Sequence, residues 1–330
     1  MKDPEYMRVK YKYIPDDIKR KYKLADKVTP DGYIYIKIGK CMYGLKQASI
    51  LAFQHLVRQL APHGYRPCPY TTGLWEHDTR PTKFCLCVDD FGIKYFCKDD
   101  LDHLLDTLRK YYKISVDMDG KNYCGLSIYW DYAKRFVDIL ISMPGFITKT
   151  RERLQHKAPS KPQHATHKWN KPAYGQKTQL APIDTTPLLS KEEMKYVQKC
   201  VGALLYYARA VDPCILPAIN EISGQQAKPT EQTMEACTML LDYVATYPDA
   251  IIRYHASDMV LHVDSDAAYL VLPNAHSRYA GHFFLGDTPP PPPAKPSSKP
   301  NGAILTNCKT IRGVMASAAE TETGGVFGNA

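Results

Sequence analysis

Two carboxylates, Asp89 and Asp90, stand side by side in "KFCLCVDDFGIKYF", between apolar runs from Phe84 to Val88 and from Phe91 to Phe96. Adjacent carboxylates repel each other when ionised, and a bound divalent cation reverses that sign. Two oxygen ligands for a hard cation, carried on a rigid tip, suit magnesium-dependent phosphoryl transfer. A solvated turn accounts for the same dipeptide, because aspartate is common in turns. A second pair, Asp264 and Asp266 in "MVLHVDSDAAYLVL", is spaced by two, which puts both on one face of a strand. Asp264 is then either a neighbour of Asp266 in a site or a polar residue near the strand end. In "SAAETE", Glu320 follows Ser317 by three, the spacing of a capping box, whereas Glu322 lies further into the helix. Cys85 and Cys87 share a strand face and are expected to be buried. His164 and His167 lie in a Lys- and Pro-rich loop without the second ligand pair that a zinc site needs.

The elements that must carry these residues alternate in type. The apolar runs around Asp89 and Asp90 predict a hairpin, although its break holds neither Asn-Gly nor Asp-Gly, the pairs a tight turn prefers. Upstream, "GYIYIKI" has strand composition, and "QASILAFQHLVRQLAPHG" predicts a helix with Ala52, Leu56 and Leu60 on one side and a Pro-His-Gly stop. Downstream, Leu101, Leu104, Leu105 and Leu108 form a helical stripe, with Asp99 or Asp100 as N-cap. "NYCGLSIYW" and "RFVDILISM" predict another strand pair. The order is α+β. Residues 157–187, rich in Pro, Lys, Gln and Thr, read as a connector. Two helices follow, one opened by a Ser190–Glu193 capping box and one starting at Thr230 and stopping before Pro248. The last segment predicts strands at "MVLHVDSDAAYLVL", "AGHFFLG" and "GAILTNCKTI", a stiff proline-rich insertion over 287–300, and a helix from Ser317 that Gly324 and Gly325 weaken. No internal repeat is present.

The 330 residues, 44% of them hydrophobic, suffice for one large or two to three ordinary domains. The formal net charge of +9 favours a polyanionic partner. Many of the 24 tyrosines neighbour Lys or Arg, as in "VKYKYIPDDIKRKYK", so rings and cations could stack on bases and neutralise phosphates, or form an amphipathic surface. The start "MKDPEYM" is no signal peptide, and no apolar run is long enough to span a bilayer. The ten cysteines show no framework, so free thiols in a reducing compartment are expected: an intracellular protein, in a cytoplasmic particle or the nucleus.

"CMYGLKQASILAFQHL" followed by the "VDD" hairpin resembles the reverse transcriptases of copia-type (pseudovirus) retrotransposons. "EYMRV", "GYIYIKIGK", "EEMKYVQKCVGALLYYARAVDP" and "HVDSDAAYLVLPNAHSRYAGHFFL" are similar to the same family, the last to the first strands of its ribonuclease H domain. The resemblance spans nearly the whole chain. It implies a partial polymerase palm over 1–130, a thumb or connection region over 131–255, and an incomplete ribonuclease H-like α/β domain over 256–330. It implies RNA-directed DNA synthesis coupled to cleavage of the RNA strand, with magnesium (or manganese). RNA template, DNA primer, RNA–DNA hybrid and deoxynucleotides are the implied partners, without a membrane. By resemblance Asp89 is a direct metal ligand and Asp90 a weaker, partly structural one. Tyr43, Gly44, Lys46 and Gln47 match the segment that positions template and incoming nucleotide. Asp266 and Glu322 match the first ribonuclease H carboxylates.

The family's third palm carboxylate lies upstream of "EYMRV", and its further ribonuclease H aspartates follow the glutamate-bearing helix. Neither has a counterpart in these 330 residues. Both sites are therefore expected to be incomplete and catalysis by this chain to be impaired. The alternative expectation is a non-catalytic nucleic-acid-binding remnant.

Overall fold

The structure, a computed structural model, describes residues 6–39, 45, 47–133, 138–168, 183–291 and 300–330. It is a mixed α+β chain with several antiparallel sheets. It divides into two units, Met1–Val116 and Asp117–Ala330. The division expected after residue 130 falls instead within a strand. Among the described residues no helix is long and apolar enough to cross a membrane.

In the first unit, β1 (Tyr6–Lys10) and β2 (Tyr33–Lys37) form an antiparallel ribbon, with the short helix α1 (Asp16–Lys21) between them. Helix α2 (Ala48–Leu60) ends in a 3-10 turn at Ala61–His63, and Gly64 closes it in the left-handed region at φ +82°. Four strands follow as a meander: β3 (Tyr65–Cys68), β4 (Thr71–His77), β5 (Lys83–Cys87) and β6 (Asp90–Lys94). Helix α3 (Lys98–Arg109) comes next. Leu56 and Leu60 of α2, Leu104 and Leu108 of α3, and Tyr65, Trp75 and Phe84 of the sheet form one buried cluster. Trp75 and Phe84 stack with centroids 5.4 Å apart.

Two expectations change in this unit. Ala52 is exposed, and Phe53 packs on the core in its place, because a contact stripe repeating at three and four residues runs Phe53, Leu56, Val57, Leu60. Helix α3 begins one residue before the expected cap, so Cys97 holds the N-cap position. Asp99 and Asp100 then lie inside the first turn, where negative charge favours the helix dipole. Asp100 is buried and accepts hydrogen bonds from Arg80 Nη1 at 2.8 Å and Cys97 Sγ at 3.0 Å. Those two donors hold its carboxyl below the usual carboxylate range.

The second unit opens with β7 (Asn122–Tyr123), β8 (Leu126–Asp131) and β9 (Asp138–Ser142). Helices α4 (Phe146–Leu154), α5 (Lys191–Ala210), α6 (Leu216–Gln225) and α7 (Glu231–Thr246) follow, then β10 (Ile251–Tyr254), which joins the sheet beside β9. The capping boxes at Ser190–Glu193 and Thr230–Thr233 are both formed. Val197, Val201 and Leu204 of α5, Ile219 and Ile222 of α6, and Cys237, Leu241 and Val244 of α7 share one core with Ile147 and Leu154 of α4. No helix or strand occupies the described part of residues 157–187.

A third sheet, in order β11 (Val260–Leu272), β12 (His276–Gly286) and β13 (Ala303–Ile311), carries helix α8 (Ala318–Asn329). Ser317 caps α8: its Oγ accepts from Glu320 N at 3.1 Å, while Glu320 Oε2 accepts from Ala316 N at 2.6 Å. Gly324 and Gly325 do not end this helix. A Cβ on Gly325 would lie 3.2 Å from Ala267 Cβ and 3.3 Å from Tyr279 Cβ, so the missing side chain lets the helix sit directly on the sheet. Gly202 in α5 has open space around it instead. Gly325→Val is therefore expected to destabilise the protein by about 1–3 kcal/mol through overpacking. Gly202→Ala should stabilise it by about 0.5–1 kcal/mol through helix propensity. Urea unfolding of the two variants measures both, and a neutral Gly325→Val would contradict the close approach.

Candidate active site

The β5–β6 hairpin is built from its buried face outward. Phe84 pairs with Ile93 and Leu86 with Phe91 across the two strands. All four pack with the cluster that includes α2 and α3. Side chains alternate along a strand, so Cys85, Cys87 and Asp90 project from the opposite face. Cys85 and Cys87 are exposed, contrary to the burial expected of them. The same-face spacing was correct, but Phe84 and Leu86 take the core side.

This second face has polarity along its length. At one end Arg66, Glu76, Lys83 and Lys94 lie in one row across the four strands. Arg66 reaches Glu76 at 3.4 Å and Asp78 at 2.9 Å, and Lys83 reaches Glu76 at 3.6 Å. At the other end, about 14 Å along β5 at the usual strand rise, stands the carboxylate pair. Both aspartates are exposed, and among the described residues neither carboxylate is hydrogen-bonded or ion-paired.

Cys87 is the Cα partner of Asp90, so the loop of the hairpin has two residues, Val88 and Asp89. Only the first, Val88, has positive φ, at +58°. A two-residue loop with that feature calls for glycine. A β-branched side chain there is strained by about 1–3 kcal/mol. Strained residues of this kind cluster at functional sites. The sequence did carry a signal for Val88: a tight break without Asn-Gly or Asp-Gly.

The other expected residues are placed as follows. Gln47 stands at the N-terminus of α2, where its carbonyl accepts from Leu51 N at 3.0 Å. Tyr43, Gly44 and Lys46 lie outside the described residues. Asp266 pairs with Ala280 in the third sheet, and Asp264 with His282. Ser265, Ala267 and Tyr279 face α8, since a Cβ on Gly325 would meet all three. Asn329 of α8 also donates to Ser265 Oγ at 2.9 Å. Alternation then turns Asp264 and Asp266 to the opposite face, shared with Arg278, which pairs with Glu221 of α6 at 3.5 Å. Glu322 is exposed on α8. The sheet thus lies between Asp266 and the helix bearing Glu322, and the two carboxylates do not form a common site.

Among the described residues no three His, Cys, Asp or Glu side chains converge as a metal site. His164 Nδ1 is 2.7 Å from Tyr247 Oη, and His167 Nδ1 is 2.9 Å from Thr166 Oγ1. Asp89 and Asp90 are therefore two carboxylates without a third protein ligand among the described residues, whereas a magnesium ion commonly takes one or two carboxylates together with substrate phosphates and water. Val88→Gly should raise stability by up to about 1 kcal/mol by relieving the positive-φ strain, read from the urea midpoint; a loss of stability would show that the loop is unstrained. No protein-family model matches the chain, and no solved structure matches it at a significant level.

Proposed function

We propose that the chain is part of a copia-type retrotransposon reverse transcriptase and ribonuclease H polyprotein, with the β5–β6 hairpin as its palm hairpin. The observation that carries this reading is the placement of Asp89 and Asp90. Both sit unneutralised at the end of a sheet whose other face is packed with α2 and α3, and the residue before them is backbone-strained. The exposed face gives a primed template somewhere to lie, with cations at one end and carboxylates at the other. Three antiparallel strands followed by a helix on the sheet suit the opening of a ribonuclease H-like domain.

Asp89, on the turn, is the residue proposed to hold the metal ion, and Asp90 at the start of β6 to steady it. Magnesium or manganese bound there supplies charge stabilisation for phosphoryl transfer. Deoxynucleotide phosphates would supply further oxygen ligands beside the two carboxylates. Lys83 and Lys94, on the same face, attract the phosphate backbone of an RNA template or its hybrid with a DNA primer. Two carboxylates serve one ion well, whereas two-metal transfer needs more. The 330-residue chain alone is therefore proposed to bind primed template with little extension. Asp266 and Glu322, on opposite sides of their sheet, are assigned no joint metal.

The test is binding of a labelled RNA–DNA primed template, with deoxynucleotide, in the presence and absence of manganese. Metal should tighten binding, and Asp89→Asn with Asp90→Asn should remove that increment. Salt-dependent binding that ignores both the metal and the carboxylates would favour the second reading, a non-catalytic nucleic-acid-binding protein. Robust primer extension abolished by Asp89→Ala would overturn the impaired catalysis while keeping the family.

A further inference from the structure

The β1–β2 ribbon has an order that its composition alone does not reveal. The cross-strand partners are Tyr6 with Lys37, Arg8 with Tyr35, and Lys10 with Tyr33. Every pair on this face joins one tyrosine to one cation. The opposite face carries Met7, Val9, Ile34 and Ile36, with Ile34 buried. The Arg8 guanidinium lies 3.7 Å from the Tyr33 ring centroid and the Lys10 ammonium 5.7 Å from it, which confirms the shared face. Tyr6 and Tyr35 are both more than half exposed, at 57% and 55%.

We infer that this face docks a single strand of nucleic acid, its rings stacking on bases and its cations holding phosphates. The inference rests on the nucleic-acid reading above and adds a surface remote from Asp89 in sequence. Charge complementarity selects the occupant. Residues 6–37 hold nine Lys or Arg against four Asp, so a net +5 of the chain's +9 lies in this tenth of its length. Arg8 is paired with Asp31, and Lys19 with Asp16 at 2.7 Å, which leaves Lys10 and Lys37 as the ribbon's cations for phosphate. Successive rows on one face are about 6.8 Å apart, twice the antiparallel rise per residue. That spacing lets the exposed rings of Tyr6 and Tyr35, in adjacent rows, each meet a separate base. Stacking needs an unpaired base face, so the ribbon selects single strands over duplex, and it tolerates any sequence because every base has such a face.

The experiment is fluorescence anisotropy of the full chain with labelled oligouridylate, oligothymidylate and a duplex, across a salt series. Tyr6→Leu with Tyr35→Leu should weaken both single strands about tenfold or more and leave the salt slope unchanged. Tyr6→Phe with Tyr35→Phe keeps the rings and should bind normally, which separates stacking from any loss of folding. Lys10→Gln with Lys37→Gln should lower the slope of log affinity against log salt by about 1.4, at roughly 0.7 per cation on a single strand. Wild-type binding that these variants leave unchanged overturns the inference and spares the proposed function, as does tighter binding of duplex. No binding of either single strand or of primed template overturns both.

Discussion

The placement of the carboxylate pair on the β5–β6 hairpin depends on one packing constraint, the burial of Phe84 against Trp75. Phe84 is 1% exposed and Trp75 fully buried, and the rings stack between helices and sheet. A strand has a side-chain period of two, so a slip of one residue turns every side chain to the other face. Burying Phe84 therefore commits Leu86 inward, and Cys85, Cys87 and Asp90 outward. Removing two carboxylates from water without partners would be strongly unfavourable. The aromatic core prevents it by fixing which way β5 and β6 face, and Val88 accepts a strained φ so that the turn can close within two residues.

The same rule, applied to the third sheet, gives the opposite outcome. Gly325 and Gly328 let α8 approach the face that carries Ser265, Ala267 and Tyr279. Close approach of a helix to a sheet decides which alternate residues lie beneath it. Asp264 and Asp266 are the other set, on the side of Arg278 and α6. Sequence spacing established that these two aspartates share a face; only the helix position shows that it is not the face of Glu322.

The legible parts of the chain are those governed by local rules. The capping box at Ser190, the helix start at Thr230, the stop at Gly64, the β5–β6 hairpin and the three strands after residue 256 follow from residue type and period alone. The α+β class follows from their order. Less legible were elements set by tertiary contact. Helix α6 begins with Leu216-Pro217, which reads as a break until Ile219 and Ile222 are seen in the core. Strand β10 is only four residues long and is defined by pairing with β9, more than a hundred residues earlier in the chain. For Cys85 and Cys87 the period was right and the side wrong, because two cysteines and two larger apolar residues compete for one core and Phe84 with Leu86 fill it better. The ordering of tyrosine against cation on the ribbon needs the register of β1 on β2, which no single-strand pattern contains.

Two surfaces thus emerge from different physics, a carboxylate tip held in water by an aromatic core and a ribbon face where rings alternate with cations. The carboxylate tip is the central claim. It is tested most directly by adding substoichiometric manganese to isotope-labelled protein and following paramagnetic broadening of the backbone amides. The account predicts selective loss of signals from Val88 to Phe91, abolished by Asp89→Asn with Asp90→Asn. Broadening confined to the acidic groove lined by Glu193, Glu231, Glu235 and Asp242, with the hairpin amides unaffected, would contradict it.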